Sequence, residues 1–176
     1  MTGAQKRRGD LAERDGAAIL AEISGHPVRR MLGAGRADDM GDLDAPGLRA
    51  AVQVTSVRRA TEAPTRLRAK VVDAQVQAER AGLPGHLVLM RVHHHGRVLW
   101  RCAVGGDLAD QLDLDGHATE GTPDGVPAWE AVVHGPEWVS WVGMWLPGPT
   151  RVAVTTPAGW WDWWRHEITT TTKETA

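Results

Sequence analysis

Gly41-Asp42-Leu43-Asp44 leads, eleven residues beyond Asp42, into Gln53-Val54-Thr55 near the end of the apolar run Leu48 to Val57. The β-branched residues Val52, Val54 and Val57 predict a strand across that run, and the turn residues Pro46-Gly47 separate it from the segment Met40 to Ala45. Asp42 and the Gln-Val-Thr triplet therefore mark the place where two strands meet.

Outward from this point the chain alternates helices and strands. Leu11, Ile19, Leu20 and Ile23 give Asp10 to Ser24 a helical stripe, with Asp10 as N-cap, Glu13 in the first turns and Gly25 as the stop. Val28 to Leu32 reads as a short strand, and Gly33 to Asp39 as a polar loop. Thr65 to Ala81 is the strongest helix: Leu67, Val71, Val72, Ala74 and Ala78 share a broad face, Pro64 precedes it, and Gly82 and Pro84 end it. His86 to His94 and Arg97 to Val104 read as strands joined by a tight turn at His95-Gly96, and Asp107 to Leu114 as a short helix. The order α-β-β-β-α-β-β-α predicts an α/β fold, a mixed central sheet flanked by helices.

The remainder is read as an appendage. An α/β domain over residues 1–114 is followed by a linker or loop at 115–128 and a Trp-rich C-terminal extension at 129–176. Within the extension, Trp129 to Val133 is a strand candidate. Trp138, Trp141 and Trp145 predict a helix over Pro136 to Leu146 with a buried seam, Arg151 to Thr156 reads as a strand, and Thr169 to Ala176 as a loose polar tail. Trp160, Trp161, Trp163 and Trp164 are too dense for one buried stripe, so some of them are expected to meet a protein partner or a second copy of the chain, with base stacking as the alternative.

Composition bounds the function. At 176 residues with net charge -2, the chain is sized for one domain and is not a protein that coats nucleic acid by bulk charge. Thirteen of its twenty Lys and Arg nevertheless fall in the first seventy residues. A single cysteine, Cys102, excludes an intrachain disulfide, and no 18-residue apolar run or signal-peptide core occurs, so a cytoplasmic protein without membrane contact is expected. The absence of Phe, Tyr and Asn, with seventeen Arg against three Lys, matches the residue usage of a GC-rich genome. His93-His94-His95 cannot converge on one metal ion, because successive strand residues point to opposite faces.

A helix with an early Glu, a strand, a loop ending in Gly-Asp, an apolar strand ending in a triplet and then a long helix carrying Gln75, Gln77 and Glu79 is an order that resembles the PD-(D/E)XK nuclease superfamily. The order is similar to that of its Holliday-junction-resolvase-like branch, often met in phages and GC-rich bacteria, and the likeness covers roughly residues 10 to 112. The resemblance implies a restriction-endonuclease-like fold and Mg²⁺-assisted hydrolysis of DNA, branched DNA included, by a dimer. In such a site Asp42 is the principal metal ligand, Gln53 stands at the second ligand, Thr55 at the water-activating Lys, and Glu13 is the supporting acid. The triplet departs from the pattern: Gln53 brings no charge and Thr55 no cation, so catalysis is expected to be weakened or lost. Lys70 is the candidate replacement for the missing lysine, and Arg58 or Arg59 could supply charge but not accept a proton. Arg29, Arg30, Arg36 and Arg49 are the candidate phosphate contacts, and Asp38, Asp39 and Asp44 are further carboxylates near Asp42. The alternative function is non-catalytic: a DNA-binding or structural component of a phage particle's head or neck, docked through the Trp-rich tail.

Overall fold

The computed structural model describes residues 3–31, 41–58, 62–94, 96–111, 118–120, 143–146 and 152–174. The loop with Arg36, Asp38 and Asp39, as well as Arg59, His95, the strand expected at Trp129 to Val133, Trp138 and Trp141, lies outside these residues.

Helix α1 runs Gly3–Ser24, β1 is Arg29–Arg30, β2 is Leu43–Asp44, a 3-10 turn spans Pro46–Leu48, and β3 is Ala50–Val57. Then follow α2 (Ala63–Ala81), β4 (Gly85–His94), β5 (Arg97–Gly105), the short α3 (Asp107–Gln111), β6 (Ala118–Glu120), β7 (Gly143–Leu146), β8 (Val152–Thr155) and α4 (Pro157–Glu174). The strands form one mixed sheet in the order β1-β2-β3-β4-β5-β8-β7-β6. β3 and β4 pair in parallel, a connection that needs a crossover, and α2 supplies it.

Alternation along the strands divides the core in two. Val52, Val54, Leu87, Leu89, Trp100 and Cys102 face a layer with Ala12 and Leu20 of α1 and Trp160 and Trp164 of α4. Val57, Val88, Met90, Val92 and Ala103 face Leu67, Val71 and Ala74 of α2. Helices thus cover both faces of the sheet. No helix among the described residues is long and apolar enough to cross a membrane.

Several expectations change. Asp10 is not an N-cap, because α1 begins at Gly3 and Asp10 lies within it. Gly143–Leu146 is a strand where Trp spacing predicted helix, since it pairs with β8 antiparallel and β6 in parallel. β6 lies inside the segment read as linker, and the tail read as loose is helical to Glu174. The Trp-rich segment is no appendage either: β8 pairs with β5, and Trp164 donates its indole N–H to the Leu48 carbonyl at 2.6 Å, tying the end of the chain to the loop before β3.

Candidate functional site

Gly41 explains how Asp42 reaches β3. Its φ is 119°, a region that side chains rarely adopt, and a Cβ there would stand 2.4 Å from the Val52 carbonyl oxygen. The close approach lets the Asp42 N–H donate to that same oxygen at 2.8 Å, while the Asp42 carbonyl receives the Met31 N–H at 3.0 Å. Among the described residues, β3 has no strand partner on this side beyond Val52. Where the next strand's carbonyl would be, the Asp42 carboxylate accepts the Val54 N–H at 2.7 Å.

This open edge is the floor of a cleft of about 560 Å³ between α1 and α2. Arg8, Gly9, Ala12 and Glu13 line it from α1, Asp42 and residues Val54 to Ser56 from the strands, and Arg58, Glu62, Arg66 and Lys70 complete it. Glu62, the residue before α2, and Arg66 and Lys70 within it recur every four residues, so they are presented on one side together. Four of the five residues expected to carry chemistry, Glu13, Asp42, Thr55 and Lys70, therefore share one cavity.

The fifth, Gln53, does not open into it. It is 3 % exposed and lies on the α2 side of β3, where its amide donates to Gln77 Oε1 at 2.6 Å and its carbonyl accepts Lys70 Nζ at 2.6 Å. Lys70 also lies 3.8 Å from Asp73. Thr55 shares this side and is 7 % exposed.

Glu13 is held by Arg30, whose guanidinium also bonds Asp10. Burial raises the Glu13 carboxyl above its ordinary range, Arg30 opposes that, and the Asp42 and Asp10 charges add to it. The mutual repulsion of Glu13 and Asp42 is the mark of two carboxylates gathered at one place.

The four arginines expected at phosphates separate. Arg29 is exposed on β1, Arg30 is committed to the α1 acids, and Arg36 is outside the described residues. Arg49, in the left-handed region at φ 49°, lines a different cavity with Trp164, Glu167 and Ile168. The cations of the cleft are instead Arg8, Arg58, Arg66 and Lys70. The four-residue spacing of Arg66 and Lys70 on the long helix is their signal in the sequence; Arg8 carries none, because it enters the cleft only through the start of α1 at Gly3.

Nor are all the tryptophans of 160–164 a docking surface. Trp160 and Trp164 are 1 % and 3 % exposed, stacked with ring centroids 6.1 Å apart, while Trp161 and Trp163 flank them half-buried. On a helix, positions four apart face the core together, which resolves the crowding that suggested a partner. Burial also raises the Cys102 thiol far above its ordinary value, which makes it an inert core group.

Among the described residues no group of three or more His, Cys, Asp or Glu stands where it could hold a metal ion. In comparisons with protein-family models, with curated proteins and with solved structures, nothing matches this chain.

Proposed function

We propose that this protein is a nucleic-acid-binding relative of the PD-(D/E)XK nucleases, of the Holliday-junction-resolvase-like branch, in which hydrolysis has been lost. Support for the ancestry comes from the order α1-β1-β2-β3-α2-β4 and from the shared cavity of Glu13, Asp42, Thr55 and Lys70.

The observation that carries the loss is the Lys70 ammonium on the Gln53 carbonyl. The residues do not suit Mg²⁺: Asp42 serves a backbone amide, Glu13 serves Arg30, and the remaining oxygen donor faces a fixed cation. Each unit of like charge at 4 Å costs about 4 kcal/mol at the effective dielectric of a protein surface, and a dication feels it twice. The Asp42 and Glu13 carboxylates are thus structural, and the chemistry left to the cleft is electrostatic. Four cations stand against Glu13, Asp42 and Glu62, and Glu13 is already neutralised by Arg30. Such a surplus on an otherwise acidic chain suits phosphate contacts that fix a backbone without reading sequence.

The test is fluorescence anisotropy with a four-way DNA junction and a linear duplex, in Mg²⁺, Mn²⁺ or EDTA, with gel analysis of the same samples. Binding that is insensitive to EDTA, weakened by Arg66→Glu and unaccompanied by cleavage is expected. Absence of binding at low salt sinks the nucleic-acid reading. Metal-dependent cleavage that Asp42→Ala abolishes sinks the loss of hydrolysis.

A further inference from the structure

Beside the cleft lies a group of charges that the site above leaves unused. Arg91 and His93 follow Leu87 and Leu89 at alternate positions of β4, so they belong to the face covered by α1. Arg91 reaches Asp15 of α1 at 3.4 Å, and its other terminal nitrogen donates to His93 Nε2 at 3.3 Å. Arg58 follows the last residue of β3, whose partner across the parallel pair is Val92, and its charge acts on His93.

The group is under-neutralised. Arg91 is 9 % exposed, and among the described residues its buried Nε has no hydrogen-bond partner and Asp15 is the carboxylate that faces it. A guanidinium offers five donors, and a nearly buried one is costly unless they are used. Arg58, by contrast, is exposed and lines the cleft, and His93 is half-buried, so the group is reachable from solvent.

We propose that Arg58, which lines the cleft, forms with Arg91 and His93 an oxyanion site that takes a phosphate group, supplied by the backbone of the bound nucleic acid. The source of the phosphate rests on the nucleic-acid reading of the cleft; the oxyanion chemistry does not. Burial, then the Arg91 and Arg58 charges, lowers the His93 pKa below its usual range. An arriving oxyanion reverses that balance. His93 takes a proton from solvent, Nε2 changes from acceptor to donor, and the Arg91 nitrogen that bonded it turns to the phosphate oxygen.

The test follows the His93 ring by NMR, its signals assigned by their loss in His93→Gln. Inorganic phosphate and, separately, a short oligonucleotide without terminal phosphates are titrated at constant ionic strength. Saturable movement of the His93 signals with both, and a rise in its titration midpoint, are expected. Arg58→Ala, a change at an exposed residue whose folding is checked by circular dichroism, weakens phosphate binding several-fold and lowers the salt-dependence slope of oligonucleotide binding by about one. If phosphate moves His93 but no oligonucleotide binds, the oxyanion chemistry stands and both its proposed source and the nucleic-acid reading fall. If the oligonucleotide binds and neither ligand moves His93, the site falls and the cleft reading stands. Movement of His93 that Arg58→Ala leaves unchanged also overturns the site as drawn.

Discussion

Lys70 reaches from α2 to the side-chain carbonyl of Gln53 on β3 at 2.6 Å, and the amide of the same Gln53 donates to Gln77 at 2.6 Å. The buried glutamine therefore anchors two positions of the helix that crosses over it. A position expected at the chemistry is instead a fastener between sheet and helix.

Gln53→Leu removes the partner that Gln77 and Lys70 share under the helix; Lys70 keeps Asp73 and solvent, whereas Gln77 loses its donor, and an unmet polar group there costs about 1 to 3 kcal/mol. Urea unfolding should register a lower midpoint with an unchanged slope. Gln53→Glu should be tolerated, because Lys70 then pairs with a carboxylate.

Lys70 also stands in the way of a dication. Calorimetric titration with Mn²⁺ should show no binding to wild type or to Gln53→Glu, and measurable binding to Gln53→Glu combined with Lys70→Ala, where a carboxylate is left without its ammonium. Binding by the wild type would contradict the role assigned to Lys70.

Among the described residues, the Asp42 carboxylate takes the place of a strand partner at Val54. Asp42→Ala leaves the Val54 N–H without its acceptor, at about 1 to 3 kcal/mol, whereas Asp42→Asn keeps an oxygen there and should cost less. Thermal melts of the two variants discriminate this structural role from a purely catalytic one, which predicts no loss in either.

His86 sets a pH dependence. Its Nε2 accepts the Gly105 N–H at 3.1 Å, and burial lowers its pKa from 6.5 to about 4. The unfolded chain takes up this proton first as pH falls, so the contribution to stability is full above 6.5 and is lost down to about 4. Its size is roughly 3 kcal/mol at most, from 1.36 kcal/mol per pKa unit. Glu13, with a raised pKa, works in the other direction: its contribution is present below 4.5 and lost as pH rises through the folded value. Denaturant midpoints for wild type and His86→Leu from pH 7 to 4 should converge toward low pH.

Gly85 carries the packing of the C-terminal helix. A Cβ at this position would stand 2.4 Å from the buried Trp164 ring and 3.3 Å from the Ala50 Cβ. Gly85→Ala should destabilise by about 1 to 3 kcal/mol through overpacking, and Trp164→Ala by about 3 to 5 kcal/mol through the cavity it leaves. Calorimetric melting temperatures check both; losses near zero would mean that α4 is peripheral.

Much of this was legible in residue patterns because the cause was local. The alternation of Val52 and Val54, the stripe Leu67, Val71, Ala74 and Ala78 ended by Gly82, and the paired runs around Gly96 are set by periods of two and 3.6. Trp145 departs from its pattern for the same reason: a spacing of three and four residues satisfies a helix, and only the pairing of Gly143–Leu146 with β8 overrides it. Thr169 to Thr172 form poor helix, yet α4 carries them on from a start anchored by Trp160 and Trp164.

By itself, then, the sequence determined the α/β order and the strand meeting at Gly41-Asp42 and Gln53-Val54-Thr55, and a family resemblance suggested Glu13, Asp42 and Lys70 as its neighbours. Only the tertiary structure decided what those groups do. Whether Gln53 faces a cleft or a helix, whether Glu13 meets solvent or Arg30, and whether Trp164 docks on a partner or on Leu48 depends on contacts between residues distant in the chain. Burial then decides among them, because each polar group must find its partner where packing has placed it.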